Sequence, residues 1–196
     1  AVTGASTLWT TANTYSENNA RTTGKMTIAG GTDIYRITTV TNDTSITLTD
    51  RYVASSDASA ATYTYFEDEY ALASDFLRPI DYRIFSDATN IKLIGRNEWR
   101  QRFPRPNISG TPHTATIVDR GVSGDTTLIK RVQFYPYPST AFIIPYAYVT
   151  NTLAFSSTGV AATSMSSDSD EPNIPLGYRH AIVYHALYHW YRDKRD

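Results

Sequence analysis

The segment PLGYRHAIVYHALYHWYR, residues 175–192, is the one part of this sequence whose apolar residues follow a sustained helical period. These residues recur at steps of three and four, which places them on one face of an α-helix; they are Ile182, Val183, Ala186, Leu187, Trp190 and Tyr191. Pro175 is tolerated in the first turn, where its missing N–H has no partner to lose. We predict a helix over 175–192 whose apolar stripe is buried against a sheet.

The rest of the composition favours strands. The chain has 196 residues, enough for one domain or two small ones, and its 15 tyrosines stand among many Thr and Ser residues. It has no cysteine, which excludes disulfides, thiolate metal sites and cysteine nucleophiles. The net charge of −1 gives no global basic field for nucleic acid. Because no segment approaches about 20 consecutive apolar residues, we expect no membrane association.

The first part of the chain predicts a small antiparallel β module. Residues 1–24 are polar without a sustained period, so we predict an N-terminal arm there. Over residues 25–72, four segments alternate apolar and polar residues as half-buried strands do; they are KMTIA (25–29), DIYRITTV (33–40), SITLTD (45–50) and ATYTYFE (61–67). One face of this module is expected to carry Met26 with Ile28, Ile37 with either Ile34 or Tyr35, and Ile46 with Leu48.

Residues 73–196 predict a second β region closed by the C-terminal helix. Its expected strands are 82–85, 91–94, 111–119, 127–135 and 140–150, with Pro145 marking an edge or bulge in the last. Gly95–Phe103 contains good helix formers and is followed by Pro104 and Pro106, so one or two helical turns are expected there. Residues 151–173 are predicted to form a long surface loop. The fold class is therefore α+β, mostly antiparallel sheet with a short central helix and a long C-terminal helix.

Three clusters of polar residues were weighed as chemical sites. His185 and His189 have a metal-chelating spacing, but Ala186 stands where a zincin motif needs Glu, so a packing or interface face is favoured. The acidic segment 168–171 begins like a calcium loop and then lacks its later ligands, which favours a solvated loop. Glu67-Asp68-Glu69 is interpreted as a solvated charged face. With no G-x-S-x-G and no P-loop, we expect no enzyme, no metal and no cofactor.

The densest basic cluster lies between residues 96 and 105 and is interleaved with aromatic residues. Its members are Arg96, Trp99, Arg100, Arg102 and Arg105. Such a cluster can follow a phosphate backbone, or it can pair with acidic residues of a neighbouring subunit. The near-zero net charge favours the second interpretation.

Three longer segments carry a family resemblance. Residues 33–76 are expected to form a short sheet that ends in Tyr70-Ala71-Leu72-Ala73-Ser74-Asp75-Phe76. Residues 131–150, RVQFYPYPSTAFIIPYAYVT, are expected to form a strand pair with Tyr-Pro-x-Pro at its turn, and residues 170–196 to lead from an acidic-Pro loop into the closing helix. In this order they resemble the head-to-tail adaptor (connector) proteins of the neck of tailed bacteriophages. Members of that group usually carry N-terminal helices ahead of the sheet, and residues 1–24 do not have a helical pattern.

The resemblance implies a structural virion protein of the phage neck, assembled in the host cytoplasm. Copies would form a homo-oligomeric ring, dodecameric by this resemblance, beneath the portal protein. The ring would extend the DNA channel used in ejection and dock tail and neck proteins, and DNA would pass through it without sequence-specific binding.

Interfaces are then the only expected sites. Tyr, Trp and Arg are enriched in interfaces and their hot spots. The candidates are the basic cluster Arg96, Trp99, Arg100, Arg102 and Arg105, and the exposed side of the helix, Tyr184, His185, Tyr188 and Arg192. The alternative is a β-rich carbohydrate- or receptor-binding module of a phage tail that uses tyrosines as stacking platforms for sugars.

Overall fold

The computed structural model describes residues 1–13, 16–28, 31–53, 61–81, 83–85, 90–121, 128–141 and 143–194. It confirms the predicted fold class: mostly antiparallel sheet, a short helix and a C-terminal helix. The chain divides into two compact units. The first unit is Ala1–Ser74 with Pro79–Ala147, and the second is Asp75–Arg78 with Tyr148–Asp196.

The described strands follow one another along the chain with few helices between them. They are β1 (Val2–Thr3), β2 (Lys25–Ile28), β3 (Tyr35–Asn42), β4 (Ser45–Leu48), β5 (Tyr63–Phe66), β6 (Glu69–Ala71), β7 (Phe76–Pro79), β8 (Arg83–Phe85), β9 (Asn90–Leu93), β10 (Ser109–Gly110), β11 (Thr114–Gly121), β12 (Leu128–Tyr135), β13 (Tyr137–Pro138), β14 (Tyr148–Thr150), β15 (Ala154–Phe155), β16 (Ala161–Ala162) and β17 (Glu171–Pro172). The helices are α1 (Arg96–Arg102) and α2 (His180–Asp193), and a 3₁₀ turn at Leu176–Tyr178 precedes α2.

The first sheet confirms the strands predicted from alternation. Its order among the described residues is β1-β4-β3-β2-β5, with antiparallel pairing throughout. The apolar face buries Met26, Tyr35, Ile37 and Ile46, with Ile28 and Leu48 packed against them. Of the two options for β3, the structure therefore has Tyr35 with Ile37. Ile34 immediately precedes the strand and is not in this core.

The N-terminal segment belongs to this sheet, so the prediction that residues 1–24 form an arm is wrong. Val2 and Thr3 pair with Ile46 and Ser45 of β4, and Trp9 and Ala20 are buried in the core. The Asp43 carboxylate in the β3–β4 turn accepts hydrogen bonds from the backbone N–H groups of Thr10 (2.7 Å) and Thr11 (3.0 Å). The strand pairing and the Asp43 hydrogen bonds join residues more than thirty positions apart in sequence. No local hydrophobic periodicity in residues 1–24 predicts them.

Gly24 marks a close approach between the segment before β2 and the ring of Tyr65. Its N–H donates to the Arg21 carbonyl and its carbonyl accepts from the Ile37 N–H, so the backbone is held on both sides. A Cβ at this position would lie 2.3 Å from Cε2 of Tyr65. We therefore expect Gly24→Ala to lower the free energy of unfolding by about 1–3 kcal/mol, the usual cost of overpacking.

Urea denaturation measures this effect, and Gly177→Ala is the matched control because a Cβ there meets no atom within 4 Å. The control should change the free energy of unfolding by no more than about 0.5 kcal/mol. Equal stability of the two variants would contradict the close packing of Tyr65 on Gly24.

The second sheet carries the other core of the first unit. Its order is β6-β12-β11-β9-β8, antiparallel except for the β9–β11 pair. Ile91, Leu93, Ala115, Val132 and Phe134 are buried on it. Because β6 pairs with β12, the first sheet ends at Phe66 rather than at the predicted boundary near residue 72. The described residues of the predicted strands 82–85, 91–94, 111–119 and 127–135 match β8, β9, β11 and β12 within a few positions.

The second unit contains two small sheets and α2. β7 pairs with β14, where the Asp75 carboxylate accepts hydrogen bonds from the hydroxyls of Tyr148 and Thr150, each at 2.8 Å. Among the described residues of the predicted strand 140–150, only 148–150 form a strand. Pro145, which has no N–H to donate, lies outside it. The predicted loop 151–173 is also wrong in part, since β16, β15 and β17 form a small sheet within it. No helix among the described residues is long and apolar enough to cross a membrane.

Candidate functional site

Helix α2 carries a large apolar surface that is exposed among the residues that the structure describes. It begins where Arg179 donates hydrogen bonds to the Ile174 carbonyl (3.1 Å) and the Glu171 carboxylate (3.0 Å). No described side chain of α2 is buried, and Tyr184 is 66% exposed and Trp190 50%. The predicted stripe is therefore not buried against a sheet: its members Val183, Leu187 and Tyr191 are also exposed.

The exposed apolar residues of α2 form one continuous face. We call this face the α2 aromatic face, and it consists of Val183, Tyr184, Leu187, Tyr188, Trp190 and Tyr191. Their spacings of three and four residues place them side by side on the helix surface. An aromatic side chain has a surface of about 150–250 Å², and about half to two-thirds of each of the four aromatic residues is exposed. Together they therefore present on the order of 500 Å² of solvent-accessible surface. This approaches the roughly 800 Å² that each partner buries in a standard interface.

The predicted helix residues lie on and beside this face. Tyr184 and Tyr188 belong to it, whereas His185 faces the opposite side and its Nε2 lies 3.1 Å from Nε2 of His189. At that distance one ring nitrogen donates to the other. The described residues contain no group of three or more ligating side chains, so this pair gains no third metal ligand there. Arg192 is exposed in the last turn, and Lys194 lies over the Trp190 ring at 4.2 Å.

The predicted basic cluster is divided between the interior and the surface. Trp99 is 2% exposed and packs edge-on against Phe103 and Tyr135, so its inclusion among the interface residues is wrong. Arg96 donates through Nη1 to Oε1 of Gln133 at 2.8 Å. Arg102 pairs with Glu98 one turn earlier, and Arg105 pairs with Asp33 at 3.7 Å. Arg100 is exposed. The cluster thus mainly stabilises its own unit, leaving Arg100, Arg102 and Arg105 at the surface.

A buried network of charges links the two sheets of the first unit. The Lys25 ammonium lies 2.6 Å from Oδ1 of Asp68 and 2.9 Å from Oε1 of Glu69. Gln133 donates to Oδ2 of Asp68 at 2.7 Å, and Arg120 binds Glu69 through Nε (2.7 Å) and Nη2 (2.5 Å). The interpretation of residues 67–69 as a solvated face is therefore wrong for Asp68 and Glu69, which are buried among opposite charges.

The network sets the ionisation of Glu69. Burial raises the pKa of this carboxyl, but the hydrogen bonds from Arg120 and the charge of Lys25 outweigh burial and lower the pKa to about 2. The ordinary value is 4.5. Since the folded-state pKa is the lower one, Glu69 stabilises the fold above pH 4.5 and this stabilisation is lost as the pH falls toward 2.

Acid titration of stability checks this linkage. We expect the free energy of unfolding to fall by about 3 kcal/mol through Glu69 between pH 5 and pH 2. In a Glu69→Gln variant the acid-dependent loss should shrink by that amount, whereas Asp168→Asn, at an exposed carboxylate with no ion pair among the described residues, should leave it unchanged. If Glu69→Gln has the same pH dependence as the wild type, the carboxylate is not held ionised by this network.

Among the cavities of the first unit, two are lined by residues that the structure describes. The larger, of about 560 Å³, is lined by aromatic residues, including Tyr70, Phe134 and Tyr146, together with Asn13, Glu17 and Arg21. The other, of about 490 Å³, lies beside the charge network and is lined by Thr22, Thr23, Arg36, Glu69, Arg120 and Arg131, among others. We call these the aromatic cavity and the cationic cavity. Sequence reasoning missed both, because their residues come from segments more than 100 positions apart.

The comparisons with known proteins add no identification. No protein-family description, no curated protein and no solved structure matches this chain.

Proposed function

We propose that this chain is a structural virion protein, a head-to-tail adaptor of a tailed bacteriophage. The observation that carries the proposal is the α2 aromatic face, four exposed aromatic side chains together with Val183 and Leu187 on one helix. Contiguous apolar patches of this size on a soluble chain mark interaction sites. The sequence resemblance of residues 33–76, 131–150 and 170–196 to phage neck proteins supports this kind of assembly.

An adaptor subunit needs surfaces that meet neighbouring copies and surfaces that meet other proteins. A head-to-tail contact between identical copies closes into a ring when the rotation between them permits it. The α2 aromatic face supplies tyrosines and a tryptophan, the residues that dominate interface energetics. Arg100, Arg102 and Arg105 are exposed on the first unit, where they are available for polar contacts with other subunits. In this proposal the copies form a ring under the portal protein and dock tail and neck proteins on its other side.

The charge of the chain agrees with a channel through which DNA moves. A lining that neutralised many phosphates would bind DNA tightly through counterion release and slow its transit. The net charge of −1 avoids such a field over the whole subunit. The proposed role is non-enzymatic, in the phage neck, with assembly in the host cytoplasm.

Native mass spectrometry of the purified chain, alone and mixed with a candidate portal ring, tests this function. We expect a stoichiometric complex in which the chain adds to the portal as a complete ring of copies. A chain that stays monomeric and leaves the portal ring at its own mass would contradict the adaptor role. Bovine serum albumin in place of the portal ring is the negative control for non-specific attachment.

A carbohydrate- or receptor-binding module of a phage tail is the second candidate, and the aromatic cavity favours it. Tyr70 and Tyr146 line that cavity beside Asn13 and Glu17, so ring faces and hydrogen-bonding groups occur together as sugar recognition requires. A glycan array separates the two functions. Binding to defined glycans that is lost in Tyr146→Ala, without association with a portal ring, would replace the adaptor proposal with this one.

A further inference from the structure

The cationic cavity has more positive charge than its own acidic residues balance. Lys25 is paired with Asp68, and Arg120 is paired with Glu69 through two hydrogen bonds. Among the described residues, neither Arg36 nor Arg131 forms an ion pair with a carboxylate, although both line the cavity. Two guanidinium groups therefore remain uncompensated in one concave site.

The Arg131 guanidinium has one hydrogen bond to the backbone and one buried donor without an acceptor among the described residues. Its Nη2 donates to the Glu69 carbonyl oxygen at 2.9 Å, which fixes the direction of the guanidinium plane. Its Nε is buried and has no acceptor among the described residues. A buried donor without a partner is unfavourable, and the residue that carries it lines the cavity.

Positive charge near the cavity also comes from Arg96, which is not one of its lining residues. Burial and the charges of Arg120 and Arg100 lower the pKa of Arg96; Glu69 opposes this, and Arg36 adds to it. The segment before β2 adds the hydroxyl groups of Thr22 and Thr23 to the lining. No aromatic side chain is among the lining residues described, so the cavity offers no aromatic ring on which a nucleobase or a sugar could stack.

We propose that the cationic cavity is a binding site for a phosphate group. Guanidinium forks match the geometry of phosphate oxygens and bind them bidentately, and hydroxyl groups complete such sites. In this proposal Arg36, which is exposed and lines the cavity, makes the first contact with the phosphate, and Arg131, which also lines the cavity, adds a second. The site is independent of the adaptor function, since it lies in the first unit and uses no residue of α2.

Isothermal titration calorimetry of the full chain with sodium phosphate, at ionic strength matched with chloride, tests the site. We expect saturable binding that Arg36→Gln weakens about tenfold, the loss typical of a charge-assisted contact. Arg78→Gln is the control, because it removes the same charge from an exposed arginine outside the cavity lining and should leave the affinity unchanged. Arg131→Lys keeps the positive charge but removes the planar guanidinium that binds phosphate through two hydrogen bonds. We expect it to weaken phosphate binding as well. Far-UV circular dichroism confirms that each variant is folded.

A parallel titration with a short single-stranded DNA of arbitrary sequence identifies the source of the phosphate. DNA binding that Arg36→Gln and Arg131→Lys both weaken would assign the site to a phosphodiester. Binding of inorganic phosphate alone would assign it to a free phosphate. The proposal is overturned if phosphate shows no saturable binding up to about 10 mM and any DNA binding is unaffected by these variants. It is also overturned if Arg36→Gln and Arg78→Gln have the same affinity as the wild type.

Discussion

Asp68→Ala is expected to lower the free energy of unfolding by about 3–5 kcal/mol, the cost of removing one partner from a buried ion pair. Asp68 is fully buried, and its carboxylate contacts both the Lys25 ammonium and the Gln133 amide. Without it, Lys25 keeps only Glu69, which Arg120 already binds. The substitution therefore leaves a buried positive charge and a buried amide with fewer partners.

Urea denaturation of the variant measures this loss. The matched control is Asp119→Ala, because Asp119 also pairs with a lysine, Lys130 at 3.2 Å, but its side chain is half exposed. An exposed pair contributes no more than about 1 kcal/mol. Equal effects of the two substitutions would show that the Asp68 carboxylate is not desolvated, and the described charge network would then be wrong.

The double substitution Leu187→Glu and Tyr191→Glu is expected to weaken assembly at least about 100-fold. Each residue is exposed on the α2 aromatic face, so the folded chain tolerates a charge there. In an interface, each glutamate would be desolvated against apolar surface, and each lost hot spot costs about 2 kcal/mol or more. Native mass spectrometry with the portal ring, at a series of chain concentrations, measures the shift.

Leu153→Glu is the matched control for the double substitution. Leu153 is an exposed leucine of the same unit that lies outside α2, and it is 65% exposed. We expect this variant to assemble as the wild type does. Assembly of the α2 double variant at wild-type concentrations would show that the α2 aromatic face is not an interface.

Much of the fold could be predicted from local patterns. Period-two alternation located β2, β3, β4 and β5, because each strand buries one face on a common core. Helix formers between Gly95 and Pro104 located α1, and the three- and four-residue period located α2. These signals are local in sequence, so they require no knowledge of which segments meet.

The rest depended on contacts between distant segments. Trp9 lies in a mostly polar segment, and nothing near it in sequence indicates that it joins the core that contains Met26 and Ile46. Asp68 and Glu69 resemble a solvated charge run until Lys25, Arg120 and Gln133 are placed beside them. The helical period of α2 showed which residues share a face, but periodicity alone does not show whether the covering surface belongs to the same chain.

Hydrogen exchange of α2, in the free chain and after addition of the portal ring, tests most directly whether this helix is the assembly surface. A short helix with no buried side chain opens readily, so its amides should exchange quickly in the free chain. In the complex, we expect exchange over residues 183–191 to slow at least about tenfold, while β2 and β11 in the core change little. A complex in which α2 exchanges as fast as in the free chain would contradict the account.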